Sequence, residues 1–244
     1  TVTDNTAPAI TCPADATVDC DGDSSSTATG AATATDNCDN DVTATESDSA
    51  ASGSCAGESV ITRTWTATDD CGNSATCDQA ITVTDNTAPV ITCPAAATVA
   101  CDGDSSSTGA ATATDNCDTA PAITESDSVA AGSCAQESVI TRTWTATDEC
   151  GNSSDCAQTI AVVDDTAPAI TCPASVTVNC EDDSSSTGTG TATATDNCDT
   201  APAITESDSA AAGSCAGESV ITRTWTATDG CGNSSTCDQA ITVA

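Results

Sequence analysis

The sequence contains no histidine, lysine, phenylalanine, tyrosine, methionine or leucine, and only three of its 244 residues are tryptophan. Each absence excludes something. Without large apolar side chains the chain cannot build one deep hydrophobic core, because burial contributes about 25 cal/mol per Å² and Ala, Ser and Thr bring little area. With three Arg against 37 acidic residues the formal charge is −34, which repels nucleic acid and anionic membranes. Without His, Lys or Tyr the usual general bases are missing, and carboxylate pairs are the only remaining catalytic equipment. A carbohydrate-cleaving site would also need aromatic platforms beside a cleft, and the three Trp are expected in the interior. No enzyme activity and no catalytic residue are therefore expected. An apolar run of membrane-spanning length and a signal peptide are both lacking, so the chain reads as a mature protein or a fragment, not inserted in a membrane.

What is abundant is cysteine, 18 residues. An even number at regular spacing is the pattern of a disulfide-dependent protein of an oxidising compartment, so the expected location is secreted or at the cell surface. A zinc reading is weak, since there is no Cys-x-x-Cys knuckle and no His.

The cysteines follow an internal repeat. Asp4-Asn5-Thr6-Ala7-Pro8 returns as Asp85-Asn86-Thr87-Ala88-Pro89 and as Asp164-Asp165-Thr166-Ala167-Pro168. The expected division is residues 1–84, 85–163 and 164–244, with six cysteines in each. Both ends of the chain fall on a seam of the repeat, which reads as a window cut from a longer array. Within a repeat the periodicity is that of strands. Val60 to Thr68 alternates strictly, Ala80 to Val83 follows a Cys-Gly-Asn-Ser turn, and shorter strands are expected at Pro8 to Cys12, Ala16 to Val18, Ala31 to Thr35 and Val42 to Thr45. No helical stripe is present. About seven short strands joined by polar turns predict an all-β protein of three antiparallel sandwiches.

The Asp-Asn-Thr-Ala-Pro-x-Ile-Thr-Cys-Pro opening, the central Ala-Thr-Asp-Asn and the closing Trp-Thr-Ala-Thr-Asp-x-Cys-Gly-Asn-Ser-x-x-Cys resemble the hyalin-repeat (HYR) modules of immunoglobulin-like fold. The resemblance covers all three repeats. It implies tandem arrays in extracellular adhesion proteins, including long bacterial surface adhesins and filaments. Six cysteines per repeat exceed the usual pair of that family and need their own account.

Six cysteines allow fifteen connectivities, among which sequence alone does not choose. The immunoglobulin-like order ranks them: Cys12 with Cys77, Cys20 with Cys55 and Cys38 with Cys71. The equivalents are Cys93 with Cys156, Cys101 with Cys134 and Cys117 with Cys150, then Cys172 with Cys237, Cys180 with Cys215 and Cys198 with Cys231. A Cys71–Cys77 bridge across the hairpin is the rival.

Asp and Asn cluster at the expected loop ends. Asp4, Asp36 and Asp69 are expected to converge, as are Asp85, Asp115 and Asp148, and Asp164, Asp196 and Asp229. Such sets offer the hard oxygen ligands that calcium takes, with Asn5, Asn37 and Asn73 as additional donors. The linker motif is similar to that of cadherins, which implies interdomain calcium; the plainer reading is that Asp and Asn serve the turns. Arg63, Arg142 and Arg223 each stand two residues before a Trp, to stack on the indole or pair with a carboxylate. Asn152 and Asn233 fit the N-glycosylation sequon, and Ser49, Ser128 and Ser209 lie in Asp-Ser-aliphatic triplets like those O-glycosylated in some bacteria.

Near-identical loops suit repetition better than selective recognition. The expected function is a segment of a secreted filament or adhesin stalk, stabilised by disulfides and calcium and partnered by more of the same array. The alternative is a calcium-dependent module that binds a glycan or a protein.

Overall fold

The computed structural model describes residues 3–214 and 217–244. It is mostly β, with 50% strand and 5% helix, and its sheets form repeated sandwich-like units. The first six strands are β1 (Ala9–Thr11), β2 (Ala16–Asp19), β3 (Thr33–Thr35), β4 (Ala44–Ser52), β5 (Ser59–Thr68) and β6 (Ser74–Thr84). β1 pairs antiparallel with β3, and β2, β6, β5 and β4 form a four-stranded sheet in that order, with β2 parallel to β6. The same six-strand succession returns as β7 (Val90–Thr92), β8 (Ala97–Ala100), β9 (Thr112–Thr114), β10 (Ala122–Ala131), β11 (Ser138–Thr147) and β12 (Ser153–Val163). It returns again as β13 (Ala169–Thr171), β14 (Val176–Val178), β15 (Thr193–Thr195), β16 (Ala203–Ala212), β17 (Ser219–Thr228) and β18 (Ser234–Val243). Each succession thus has six strands where about seven were expected.

By contact density the chain forms two compact units. The first holds residues 1–93, 111–125 and 144–156, and the second residues 94–110, 126–143 and 157–244. The strands of the middle repeat are therefore divided between the units.

Alternation along β5 and β6 selects the interior. Trp65, Ala67 and Ile81 are buried on one face, and the antiparallel register sets Trp65 against Cys77 and Ile61 against Ile81. The missing Leu and Phe are replaced by a polar network. Gln79 is fully buried and its amide nitrogen donates to the carbonyls of Ala14 and Thr29, both at 2.8 Å. Buried Arg63 grips Asp48 with two hydrogen bonds of 2.8 Å and also donates to Thr29 Oγ1 and the carbonyl of Ser24, each at 3.0 Å. Charge-assisted bidentate pairs of this kind are the strong ones. Together these residues hold a short helical turn, α1 (Ser26–Thr29), that no sequence stripe announced. Its equivalent α2 (Ser186–Thr189) is held by Gln239 and Arg223 in the same way.

β4 runs well past the expected Thr45, to Ser52, pairing residue by residue with β5 from Ala44 opposite Ala67 to Ser52 opposite Ser59. It is an exposed edge, so it needs no apolar alternation, and the ladder with β5 decides its extent. Its acidic and seryl side chains blunt that edge against unwanted pairing.

Cys12 pairs with Cys77, Cys93 with Cys156 and Cys172 with Cys237, joining β1, β7 and β13 to β6, β12 and β18. The other expected pairs are corrected by the structure. Cys20 bonds Cys117 and Cys55 bonds Cys150, not one another. Cys101 bonds Cys198 and Cys134 bonds Cys231. These four bridges leave one repeat and enter the next, with Cα–Cα distances of 5.0 to 6.0 Å, inside the usual disulfide range. Cys38, Cys71 and Cys180 are exposed free thiols, so the expected Cys38–Cys71 bond is absent. Cys215, expected to bond Cys180, lies outside the described residues. The physical reason for the correction is local. Where consecutive repeats adjoin, the sulfurs of the neighbouring repeat lie at bonding distance and take the partners that each repeat was expected to pair within itself. Among the described residues no helix is long and apolar enough to cross a membrane.

Candidate functional site

The acidic triads are built on three recurring loop devices. In the turn between β5 and β6, Asp69 accepts from the backbone N–H groups of Cys71 at 3.0 Å and Asn73 at 2.8 Å, and from Asn73 Nδ2 at 2.8 Å. Asn73 Nδ2 also donates to the Asp4 carbonyl at 3.3 Å, tying the turn to the leading linker. Asp148 with Asn152 repeats this on the Asp85 carbonyl in the first unit, and Asp229 with Asn233 on the Asp164 carbonyl in the second. Hydrogen bonding from the Asn73 side chain holds Asp69 below the ordinary carboxylate value. For Asp148 and Asp229 burial pushes upward, but the hydrogen bonds from Asn152 and Asn233 outweigh it and both lie below that value.

The second device is the loop after the third strand of each repeat. One oxygen of Asp36 accepts from Cys38 N at 2.8 Å and Asp39 N at 3.2 Å. Asp115 and Asp196 do the same for Cys117 and Asp118, and for Cys198 and Asp199. The other oxygens of Asp115 and Asp196 are buried with no hydrogen-bond partner.

The third device is the linker itself. Asp85 is 4% exposed; its Oδ1 accepts from Thr87 N at 3.1 Å and its Oδ2 is buried without a partner. Asp164 matches it, with Oδ1 on Thr166 N at 3.3 Å and a partnerless Oδ2. Burial first, then the charges of Asp115, Asp148 and Asp19, pushes the Asp85 carboxyl above its ordinary value. Burial, then Asp196, Asp229 and Asp165, does the same to Asp164.

The members of the sets at Asp85 and Asp164 are thus brought within electrostatic reach of one another. At the start of the chain, Asp4 and Asp36 lie within 4.8 Å of each other and of the Cys38 sulfur, and Asp69 shares a cleft with Asp4. The members are not equivalent. Asp69, Asp148 and Asp229 spend their oxygens organising a turn, and the amide nitrogens of Asn73, Asn152 and Asn233 are donors in that turn. The linker and third-strand-loop aspartates are the ones with oxygens to spare. Sequence reasoning missed Asp19, whose carboxylate lies within 4.8 Å of that of Asp85. Its counterparts are Ala100 and Asn179, so the repeat gave no signal for it.

Buried carboxylate oxygens that have no donor and repel their neighbours suit a cation. The donor set is all hard oxygen, which fits calcium; the neighbouring Cys20 and Cys117 sulfurs are bonded to each other and offer no thiolate to a softer metal.

The remaining sites are placed as follows. Asn152 and Asn233 use both hydrogens of the nitrogen that would carry a glycan in hydrogen bonds, so attachment in the folded state costs at least one of them. Ser49, Ser128 and Ser209 are exposed on β4, β10 and β16. All three Arg choose the carboxylate: Arg63 holds Asp48, Arg142 holds Asp127 and Arg223 holds Asp208, while Arg223 also lies 6.0 Å from the Trp225 ring centroid. The hydrogen bond to the guanidinium lowers Asp48, Asp127 and Asp208 below 3.8. A depressed folded value stabilises the fold above the unfolded value and loses that contribution as pH falls through the folded one. Replacing the three aspartates by Asn is expected to flatten the acid limb of a melting temperature against pH profile below about pH 4; an unchanged limb would refute the assignment.

A search of curated proteins found no match. Among solved structures the chain is similar to Drosophila N-cadherin EC1-4, at 12% identity over 87% of this chain and 69% of that one with a TM-score of 0.32. It is also similar to human CDH23 EC21-23, at 12% identity over 97% and 100% with a TM-score of 0.38. Mouse cadherin-23 EC22-24 follows at 15% identity over 98% and 99%, TM-score 0.37. The sequence profile of the HYR-like domain with 4 cysteines matches residues 2–83 and 168–243, more than half of the chain. Two matches in one chain, each over a six-strand succession of the same sheet order, establish that the chain belongs to the family of HYR-like domains with four cysteines.

Proposed function

We propose that this chain is a building segment of an extracellular repeat array, a filament or adhesin stalk of three modules at residues 1–84, 85–163 and 164–244, stiffened by calcium at their joints. The observation that carries this reading is the set of four disulfides running from one repeat to the next. Two crosslinks beside each linker turn a flexible connection into a fixed one, which is what a tension-bearing array needs and a reducing cytosol would not preserve. A sugar-binding reading lacks aromatic platforms, since all three Trp are buried. The exposed Ser49, Ser128 and Ser209 remain the candidate positions for attached glycans.

Asp85 Oδ2 and Asp115 Oδ1, with the Asp19 carboxylate, are the ligands proposed for a calcium ion in the first unit, and Asp164 Oδ2 and Asp196 Oδ1 in the second. Folded values raised above the unfolded ones mean that ionising Asp85 and Asp164 opposes folding, a cost that grows as pH rises through the carboxylate range. A bound cation removes that cost. Asp85→Asn/Asp164→Asn is therefore expected to raise the melting temperature in chelator and to abolish the upward shift that millimolar calcium gives the parent chain. Calorimetry of the oxidised protein checks both, and an equal calcium shift in parent and variant would sink the assignment.

A further inference from the structure

The segments that present the unpartnered carboxylate oxygens also carry the sulfurs of one bridge in each unit. In the first unit Cys20 N–H donates to the Thr84 carbonyl at 2.9 Å, which sets Cys20 beside the linker that begins at Asp85. Cys117 N–H donates to Asp115 Oδ2 at 2.8 Å, and Asp115 Oδ1 is left buried without a partner. Each sulfur of the Cys20–Cys117 bond is thus anchored to a segment with a donorless oxygen, Asp85 Oδ2 on one side and Asp115 Oδ1 on the other. The carboxylates of Asp19 and Asp85 and the two sulfurs all lie within 4.8 Å of one another. The second unit repeats the arrangement. Cys101 N–H donates to the Val163 carbonyl at 2.9 Å, Cys198 N–H to Asp196 Oδ2 at 2.9 Å, and the Asp164 carboxylate lies within 4.8 Å of both sulfurs.

We propose that cation binding and disulfide closure are coupled in each unit: a calcium ion held by Asp85 and Asp115, or by Asp164 and Asp196, favours closure of Cys20 on Cys117, or of Cys101 on Cys198, and each closed bond strengthens calcium binding in return. This rests on the reading of those carboxylates as a calcium site and states what regulates it. Charge decides the direction. Closing Cys20 on Cys117 draws Asp19, Asp85 and Asp115 together, and with Asp85 only 4% exposed their repulsion is screened less than between surface groups. That repulsion opposes closure, whereas a divalent cation turns the same oxygens into ligands. The closed bond in turn holds both segments where the oxygens converge, so binding no longer has to order them. By linkage the two effects are equal: the factor by which the bond raises calcium affinity is the factor by which calcium raises the closed-to-open ratio of the bond. Asp19 precedes Cys20, whereas Ala100 precedes Cys101, so the first unit has two carboxylates beside its sulfurs where the second has one, and its coupling is the larger.

Closure takes a disulfide oxidant, here oxidised dithiothreitol. The Cys20 thiol loses its proton and its sulfur opens the ring disulfide, leaving a mixed disulfide. The deprotonated Cys117 sulfur then displaces dithiothreitol as the dithiol. Two protein thiols are oxidised and one oxidant disulfide is reduced.

The test has two arms. Calcium affinity is measured by titration calorimetry on the oxidised parent, on Cys20→Ala/Cys117→Ala, and on Cys12→Ala/Cys77→Ala as the control for a lost crosslink in general. The first variant is expected to lose about tenfold in affinity at the first site, within the usual span of coupling between sites, and the control to keep the parent value. The second arm needs no cysteine variant. The parent is equilibrated in oxidised and reduced dithiothreitol with calcium or with chelator, and differential alkylation with peptide mapping reads each bridge. Calcium is expected to raise the oxidised-to-reduced ratio of Cys20–Cys117 by the same factor, that of Cys101–Cys198 by less and that of Cys12–Cys77 least, and Asp85→Asn to remove the rise at Cys20–Cys117. Equal rises at all three bridges would be a general stabilisation of the fold and would overturn the proposal, as would a ratio that calcium leaves unmoved. Calcium that binds the oxidised parent without moving the ratio removes the coupling and leaves the cation site standing; no binding to the oxidised parent removes both.

Discussion

Reducing the oxidised chain is expected to abolish its cooperative unfolding transition and the near-ultraviolet signal of its three tryptophans at room temperature. In the chain-entropy account the Cys12–Cys77 bridge, spanning 65 residues, contributes about 4 kcal/mol, and a bridge across a loop like the 97-residue one between Cys20 and Cys117 contributes about 5 kcal/mol. An ordinary domain holds only about 5 to 15 kcal/mol in total, and the interior here has few large side chains to make up the loss. The loops overlap, so the terms do not simply add, but any two of them approach the whole stability of a module. Circular dichroism before and after reduction with a phosphine reads the effect. A reduced chain that keeps a cooperative melt would show that apolar packing and the Arg and Gln networks suffice, which would remove the central physical claim about this fold.

The second large effect is expected from Trp65→Ala. The indole is 4% exposed and sits across the ladder from Cys77, so truncation removes the largest apolar side chain of the repeat and opens a cavity beside the Cys12–Cys77 bridge. Phe or Trp to Ala changes in cores cost about 3 to 5 kcal/mol. Denaturant unfolding of the oxidised variant measures it. The expected result is an earlier transition for the first unit, which holds Trp65 and Trp144, with Trp225 fluorescence reporting the second. A loss under about 1 kcal/mol would mean that the sulfur staples, not the indole, fix the two sheets, since the lower end of the truncation range lies well above that.

Several elements were legible from residues alone because one face of each had to be buried. β5 and β6 alternate strictly, so Trp65, Ala67 and Ile81 were bound to share a face. β4 was legible only at its first residues, because an exposed edge strand carries no apolar period and its length is set by pairing with β5. The turns α1 and α2 carried no signal, since Gln79 with Arg63 and Gln239 with Arg223 hold them from elsewhere in the fold. Among the acidic residues the sequence marked the right loops. It could not separate Asp69, whose oxygens are consumed by backbone donors, from Asp85 and Asp115, whose oxygens are not.

Composition and period alone determined that the protein is a disulfide-rich, strongly acidic chain of repeated β modules, because a shortage of large apolar side chains leaves sulfur as the available staple and alternation leaves strands as the available element. Only the tertiary structure decided which sulfurs meet. Cysteines at equivalent positions of successive repeats are indistinguishable along the chain, and whether Cys20 reaches Cys55 or Cys117 depends on which sulfur the folded loops bring within bonding distance, a distance that no spacing in the sequence encodes.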